Sequence, residues 1–444
     1  MEWPKLISDK RFGLEDYHNR RGETRSDFQR DYDRLVFSSP FRRLQNKTQV
    51  FPLPGSIFVH NRLTHSIEVA CVGRSLAREV ITELMKKYAG EPWCAKLMDV
   101  PDIVAAGCLA HDLGNPPFGH SGEKAISSFF SEGPGAALRS ELTADQWCDL
   151  VNFEGNANSF RQLTHQFNGR RPGGFAMTYS MLASIVKYPY ESSIALKPNK
   201  FGFFCTEKEA FGRIATELGL LRKPAPDGRL SYARHPLVYL VEAADDICYE
   251  VMDLEDASKL KILTHAEVIE LMLGFFSPAD RAHKLEVMGR IDDPNEKVGY
   301  LRSCVIGALV ECCAEAFVKH EQEILDGTFA GSLLDCIRPA EREAYEACNR
   351  VSWSRIYSAP DVVDIELAGN RIITFLMDKL IHAVRFPELN YSRLLLSKVP
   401  EQYDVHSTDL FTKVQAAVDH VASMTDVYAL DLYRRLNGQT LPAV

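Results

Sequence analysis

The sequence predicts a mostly α-helical protein, and two observations support this fold class. Apolar residues recur every three to four positions in almost every periodic segment, most clearly over 66–77, which is the spacing of a helix with one buried face. Alternation of apolar and polar residues, the pattern of a half-buried strand, is short and confined to places such as 200–206. We therefore expect helices along most of the chain and at most one small β-hairpin.

The remaining periodic segments divide the chain into three regions. Helical spacing continues at about 100–111, 236–256, 265–276, 298–325, 364–385 and 409–436. Clusters of glycine, proline and charge predict loops at 169–174, 187–200 and 222–228. We expect an N-terminal arm over 1–34, a core that contains the motifs described below over 35–260, and a helical C-terminal region over 261–444 packed on that core.

The first 34 residues are rich in charge and poor in apolar side chains. This composition predicts a solvated arm. The alternative is a segment that packs on another subunit, with Phe12, Tyr17 and Phe28 as aromatic anchors.

The composition excludes several classes of protein. Hydrophobic residues make up 45% and charged residues 25% of the 444, which is typical of a globular chain. The net charge of −9 supplies no global positive field for nucleic acid or an anionic membrane. Residues 1–5 lack the apolar core of a signal peptide, and no apolar run reaches the roughly 20 residues that span a bilayer, so we expect a cytoplasmic protein. The eleven scattered cysteines include no CxxC pair and predict reduced core residues.

The most informative stretch runs from Cys108 to Glu123. An apolar helix ends at His111 and Asp112, and a loop rich in glycine and proline follows. A helix that stops near Gly114 leaves the imidazole and the carboxylate at its open end. The prolines after it then fix the chain, so that His120 and Glu123 return toward the same place.

Upstream, His65 lies at the start of another predicted helix, with Arg62 three residues before it. Taken alone, this segment favours a capping or packed histidine beside an exposed arginine.

Downstream, the predicted helix over 237–253 is too apolar for a simple surface element. Asp245, Tyr249 and Asp253 lie at i, i+4 and i+8 and share one face of it. Because a buried unpaired carboxylate is costly, this face requires a polar or cationic partner. A metal with a polyanion beside it would satisfy the face, and so would salt bridges to a neighbouring helix.

Two imidazoles and two carboxylates on separate helices suit Mn²⁺ or Mg²⁺ with positions left open for water and substrate. The absence of cysteine from the set argues against a structural zinc site. Basic residues near these motifs indicate a local polyanion site, although each of them also fits a solvated charge; they are Arg42, Arg43, Lys47, Arg62 and Lys187.

The order His65, His111-Asp112, Asp245 resembles the HD superfamily of metal-dependent phosphohydrolases, which has a helical core. Five motifs in the same order resemble the deoxyguanosinetriphosphate triphosphohydrolase (dGTPase) family, over about residues 30–260. They are 41–51, 62–66, 111–120, 153–157 and 242–249. The stretch 366–369 in the C-terminal half is also similar to the family.

The resemblance implies His65, His111, Asp112 and Asp245 as metal ligands. Asp245 is preferred to Asp246 because it precedes Tyr249 by one helical turn, whereas Asp246 points about 100° away. The resemblance further implies roles for two other groups of residues. His120, oriented by Glu123, would be the catalytic acid/base; Arg62, Lys187 and Tyr249 would hold the triphosphate, with Gln49, Tyr188 and Asp253 nearer the sugar and base.

The implied reaction is hydrolysis of dGTP, or of several dNTPs, by attack of water at the α-phosphorus, which releases the nucleoside and tripolyphosphate. The alternatives are an HD-type nucleotide phosphodiesterase and a nucleotide-sensing or single-stranded-DNA-binding regulator. In the latter, Arg170 and Arg171 would line a groove, and single-stranded DNA is also a candidate effector of an enzyme.

The resemblance and the apolar run 372–377 predict a homo-oligomer, a hexamer, in which C-terminal helices approach a neighbour's pocket.

Overall fold

A computed structural model describes residues 1–16, 24–51, 58–194, 196–197 and 199–440. Within these ranges the chain is mostly α-helical, which confirms the predicted fold class. Only isolated β-bridges occur in the described part, so the alternation near 200–206 produces single contacts, such as the bridge between Glu191 and Phe203.

The helices have the following bounds in chain order: α1 Trp3–Leu6, α2 Asp27–Val36, α3 Ser39–Arg43, α4 Arg62–Lys87, α5 Val100–Ala110, α6 Gly119–Ser131, α7 Ala144–Val151, α8 Gly155–Thr164, α9 Tyr179–Ser184, α10 Lys208–Glu217, α11 Pro236–Lys259, α12 His265–Leu273, α13 Pro278–Met288, α14 Pro294–Lys319, α15 Glu321–Leu325, α16 Pro339–Val351, α17 Pro360–Arg385, α18 Asn390–Leu396, α19 Leu410–Ala422 and α20 Asp426–Leu436. A π-helical turn, Ser352–Ile356, follows α16 directly.

Local sequence explains the ends of the long helices that carry the predicted motifs. Asn61 caps α4 in a capping box with Thr64, which satisfies backbone N–H groups that the first turn leaves free. Pro236 occupies the first position of α11, where the missing N–H costs nothing. Both helices therefore begin at defined residues, and this fixes the rotation of the side chains that follow.

Two hydrophobic clusters form the core. The first contains buried side chains of α4, α5, α11 and α14, and the second contains those of α6, α17 and α19. The C-terminal half contributes to both, because its residues up to Val362 pack in the first cluster and those from Ile372 onward in the second. The domain boundaries near 34 and 260 stay a prediction.

The N-terminal segment does not behave as its charge predicts. Trp3, Leu6, Phe12 and Phe28 are buried in the chain's own core, so the expectation of a solvated arm is wrong for the described part. Phe12 and Phe28 are consequently not available as anchors on another subunit, and Tyr17 lies outside the described residues. The reason is Arg11, whose partners make the charge compatible with burial.

Arg11 is 2% exposed and donates to Asp27 at 2.8 Å and to Asp31 at 2.7 Å. Replacing it with methionine removes the cationic partner of the buried Asp31 carboxylate and leaves Asp27 with the more distant Arg30 at 3.8 Å, so we expect the free energy of unfolding to fall by about 3–5 kcal/mol. Urea denaturation followed by circular dichroism measures this loss. Arg25→Met is the matched control, because Arg25 pairs with Asp33 on the protein surface. Its replacement should lower the free energy of unfolding by less than about 1 kcal/mol. Equal losses in the two variants would contradict the prediction.

All eleven cysteines are free thiols, and five of them are buried: Cys108, Cys248, Cys312, Cys313 and Cys348. The prediction of core residues therefore applies to about half of the set, and Cys71 is exposed.

Among the described helices, none combines the length and apolar content needed to cross a bilayer.

Candidate metal centre and active-site cavity

Three helices bring His65, His111 and Asp245 together. His65 is in the first turn of α4, His111 follows the last residue of α5, and Asp245 lies in the middle of α11. One ligand atom from each residue lies within 4.8 Å of the other two. The carboxylate Oδ1 of Asp245 is 2.9 Å from Nε2 of His65 and 3.4 Å from Nε2 of His111. This spacing allows the three side chains to hold one metal ion.

The donor atoms fit a divalent cation. Nε2 of His111 is buried and has no hydrogen-bond partner among the described residues. Nδ1 of the same ring donates to the carbonyl of Cys108 at 2.6 Å, so Nε2 is the ring atom that can bind a cation once it gives up its proton. Imidazole nitrogen and carboxylate oxygen are both donors to divalent cations, and the group contains no thiolate.

Asp112 borders this group without belonging to it. Its Oδ2 accepts from Arg62 at 2.7 Å, and its Oδ1 accepts from the Asn115 amide and lies 3.5 Å from Nε2 of His111. Its predicted role as a fourth ligand stays a prediction. The arrangement shows directly that Asp112 holds the buried Arg62 guanidinium beside the ligand group. Gly119 permits this approach, because a Cβ there would lie 2.5 Å from Nη2 of Arg62.

The carboxylates and imidazoles of the centre shift each other's protonation. Burial disfavours the charged form of His111, but the negative charges of Asp112 and Asp245 outweigh it and raise the pKa of His111 to about 9. Burial likewise disfavours the Asp245 carboxylate, yet His111 and His65 hold the pKa of Asp245 well below its usual value. The group is therefore a concentrated site of coupled charge, which is common at functional centres.

A cavity of about 540 Å³ opens beside the centre. Seven of the predicted site residues line it: Gln49, Arg62, Asp112, His120, Glu123, Asp245 and Tyr249. The opposite wall comes from the C-terminal half and includes Trp353, Tyr357, Val362, Ile365 and Glu366. None of these five was predicted from the sequence as a site residue. The sequence signals for them are the aromatic pair Trp353 and Tyr357, four residues apart, and the stretch 366–369, which contains Glu366.

The wall residues form a short series of aromatic rings. The rings of Tyr249 and Tyr357 have centroids 5.8 Å apart, and Trp353 meets Tyr357 edge-on at 5.3 Å. Trp353 lies in the π-helical turn and is 71% exposed at the rim of the cavity. Exposed indole beside an apolar wall is suited to stacking on a planar ligand.

A second cavity of about 150 Å³ adjoins the first and shares Asp112, His120, Glu123 and Asp245 with it. Two lysines line this chamber. Nζ of Lys187 is 2.9 Å from Glu242, and Nζ of Lys200 is 2.9 Å from Glu154. Lys187 was predicted from the sequence, whereas Lys200, in a loop segment, was not.

His120 and Glu123 occupy the first turn of α6. Nδ1 of His120 is 2.7 Å from Oε2 of Glu123, and the imidazole is 67% exposed at the junction of the two cavities. The other oxygen of Glu123 accepts from the backbone N–H of Gly155 at 2.8 Å. A buried, anchored carboxylate thus fixes the orientation of an accessible imidazole.

Three predicted residues line neither cavity: His65 of the metal centre, Asp253 and Tyr188. Asp253 is 4% exposed and lines neither cavity; its carboxylate accepts from the Tyr357 hydroxyl at 2.8 Å, because Tyr357 covers the face of α11 beyond Tyr249. Tyr188 also lines neither, and its ring lies about 6 Å from the ammonium groups of Lys187 and Lys200. The structure brings Asp245, and not Asp246, to the two imidazoles, although Asp246 does line the larger cavity.

The basic residues of the motif at 41–51, which are Arg42, Arg43 and Lys47, have different surroundings. Lys47 is buried and donates to the backbone carbonyls of Asn115 and Ala422, so it is not a free anion-binding group. Burial lowers the pKa of its ammonium group to about 7. Arg42 and Arg43 line neither of the two cavities.

Comparison with known proteins identifies the family. An HD domain model matches residues 62–170, and a phosphohydrolase-associated domain model matches residues 336–435. A deoxyguanosinetriphosphate triphosphohydrolase-like protein of Synechocystis is 37% identical, over 99% of this chain and all of its own length. A protein with the same description from Pseudomonas aeruginosa is 36% identical over the whole of both chains. The deoxyguanosinetriphosphate triphosphohydrolase of Yersinia pestis is 30% identical over 92% of this chain and 93% of its own. The chain therefore belongs to the deoxyguanosinetriphosphate triphosphohydrolase family of HD-domain phosphohydrolases.

Proposed function

We propose that this phosphohydrolase converts a deoxynucleoside triphosphate, dGTP or several dNTPs, and water to deoxynucleoside and tripolyphosphate, with Mn²⁺ or Mg²⁺ as cofactor. One observation carries the proposal: the His65, His111 and Asp245 group lies where a large cavity with an aromatic wall meets a small chamber lined by two lysines. A volume of about 540 Å³ suits a nucleoside. The lysine chamber suits a chain of phosphates.

The cation, when bound, would lower the pKa of a water and neutralise charge on the phosphate oxygens. Arg62 adds a fixed positive charge beside it, and the Nε–H of its buried guanidinium has no partner among the described residues. Lys187 and Lys200 would exchange their carboxylate partners for oxygens of the substrate's triphosphate and so bind it.

His120 handles the proton. Attack of water forms a new oxygen bond at the α-phosphorus and breaks the bond to the 5′ oxygen of the nucleoside, which then needs a proton. The protonated His120 imidazole donates it and is then reprotonated by the proton that the attacking water loses, so that no net proton is consumed. The Glu123 carboxylate at 2.7 Å stabilises the protonated ring and fixes its orientation.

Product analysis tests the proposal. The purified protein is incubated with each of the four dNTPs and with GTP, in Mn²⁺ or Mg²⁺ and in chelator, and the phosphate product is identified. Nucleoside with tripolyphosphate is expected. Pyrophosphate with nucleoside monophosphate, or release of orthophosphate, would contradict it.

A nucleotide phosphodiesterase is the nearest alternative, since it would need the same cation ligands. The lysine chamber favours the triphosphatase, because a phosphodiester offers only one phosphate to two ammonium groups. Cyclic and linear dinucleotides in the same assay separate the two activities.

The lysine chamber gives a further prediction. Lys200→Met should raise KM for the dNTP roughly tenfold or more and change kcat little, because it removes a charge-assisted contact to the phosphates. Lys208→Met is the matched control, since Lys208 also pairs with a buried glutamate, Glu191, but lines neither cavity. Steady-state kinetics at two ionic strengths measures both variants. A KM for Lys200→Met equal to that of the control would remove Lys200 from the site.

We also propose a homo-oligomer, with the hexamer as the predicted state. The run 372–377 does not support it, because Ile372, Ile373, Leu376 and Met377 are buried in the chain's own core. Support comes from exposed apolar side chains on the C-terminal helices, among them Leu367, Leu394 and Val427. Sedimentation equilibrium distinguishes a hexamer from a monomer.

Single-stranded DNA as an effector would use Arg170, which packs on the Phe167 and Phe175 rings beside Arg171. Loss of oligonucleotide binding in Arg170→Ala would support this role.

A further inference from the structure

The turn that leads into α6 has an unfavourable backbone conformation. Phe118 has φ 62° and ψ 20°, in the left-handed region, where a bulky aromatic residue is rare and strained. Gly119 follows with φ 57°, and His120 is the next residue. The direction in which His120 leaves the backbone thus depends on a conformation that Phe118 does not itself favour.

Asp426 in the first turn of α20 contacts this turn directly. Its Oδ1 accepts from the backbone N–H of Phe118 at 2.9 Å, and its Oδ2 accepts from the backbone N–H of Thr48 at 2.8 Å. The carboxylate is buried, with the residue 7% exposed. One side chain from the C-terminal region therefore ties the turn before His120 to the loop that carries Gln49. Thr48 and Phe118 both line the larger cavity.

Helix α17 packs closely against the same turn at Gly369. A Cβ on Gly369 would lie 2.7 Å from Cβ and Cγ of Phe118, closer than such atoms approach in real proteins. One turn earlier on α17, the carbonyl of Glu366 accepts from the Ser121 hydroxyl at 2.8 Å. The helix therefore contacts the turn as Asp426 does, and only glycine fits at the point of closest approach.

The Lys47 ammonium group adds a third link, because it joins the carbonyl of Asn115, at the start of the turn, to that of Ala422 at the end of α19. The junction of α19 and α20 thus contacts the loop at both of its ends.

We propose that Asp426 and Gly369 are positioning residues, through which α20 and α17 hold the strained turn 115–119 and so keep His120 at the junction of the two cavities. The proposal rests on the proposed function, in which His120 transfers a proton. The C-terminal helices then contribute to catalysis by positioning His120. Asp426 and Gly369 do so without contacting the reacting atoms.

We call the contacts of Asp426 and Gly369 with the turn 115–119 the clamp, and two variants test it by steady-state kinetics. Asp426→Asn keeps the shape but can accept only one of the two N–H groups, so kcat should fall at least tenfold, with KM within threefold and Mn²⁺ affinity within twofold of the wild type. Gly369→Ala should lower kcat in the same way, although alanine by itself favours a helix. Thr425→Ala is the matched control, since it removes the N-cap of α20 and leaves both Asp426 hydrogen bonds in place. Its kcat should stay within twofold.

Hydrogen exchange tests the clamp without substrate. The amides of Phe118 and Thr48 should exchange at least tenfold faster in Asp426→Asn than in the wild type or in Thr425→Ala. If the wild type releases a different product while this acceleration is seen, the clamp stands and the proposed function fails. Unchanged protection and unchanged kcat in Asp426→Asn overturn the clamp. If that variant does not fold, Gly369→Ala decides, and wild-type kcat in it overturns the proposal.

Discussion

Alanine in place of His111 is expected to abolish turnover and to weaken Mn²⁺ binding more than about 100-fold, because it deletes one of the three donor atoms that lie within 4.8 Å of one another. The fold should persist. His111 follows the end of α5 at the wall of a cavity, and its Nε2 has no hydrogen-bond partner in the described structure to lose. Calorimetric titration with Mn²⁺, together with thermal unfolding of the metal-free protein, measures the two effects separately.

His320→Ala is the control for the loss of an imidazole, since His320 pairs with Glu323 and lines neither cavity. A sharper comparison uses neighbouring carboxylates on α11. Asp245→Asn should eliminate turnover, whereas Asp246→Asn should retain a measurable fraction, because only Asp245 reaches the two imidazoles. Unchanged Mn²⁺ affinity in His111→Ala, or the reverse ranking of the two asparagine variants, would contradict the assigned centre.

Alanine in place of His120 should lower kcat by about 10²–10⁴-fold, the usual cost of removing a general acid or base, with KM and Mn²⁺ affinity near those of the wild type. The imidazole is 67% exposed and is not one of the three donors, so neither folding nor the cation should depend on it. Steady-state kinetics with the best dNTP, and a Mn²⁺ titration, give the three constants.

Glu123→Gln provides the graded comparison. It retains a side chain that can hydrogen-bond to Nδ1 of His120 but removes the charge that stabilises the protonated ring, so its loss of kcat should be smaller than that of His120→Ala. A raised KM with normal kcat in His120→Ala would make His120 a binding residue.

The sequence predicted the parts of the molecule that depend on local pattern. Helical periodicity identified the segments that form α4, α5 and α11, and the placement of His65, His111 and Asp245 on them follows from where each helix begins or ends. The rotation of about 100° per residue along α11 also distinguished Asp245, which reaches the two imidazoles, from its neighbour Asp246.

The parts that were missed depend on contacts between distant residues. Asp253 shares a face with Asp245, but Tyr357, 104 residues away, covers it. Charge in the N-terminal segment suggests solvation until the partners Asp27 and Asp31 of Arg11 are known. The far wall of the cavity comes from residues after 345, whose local pattern is that of ordinary helices.

The pairing of His65 with Asp245 also determines when the centre can exist during synthesis. The two residues are 180 positions apart, and a ribosome adding about 5–20 residues per second needs roughly 10–40 seconds to travel from one to the other. During that interval α4 and α5 are made but lack α11 and α14, against which they pack. The nascent chain therefore exposes apolar helix faces for an extended period, and we expect it to require chaperone protection until α14 has emerged. Cation binding by a stalled nascent chain would begin only with stalls placed beyond α11.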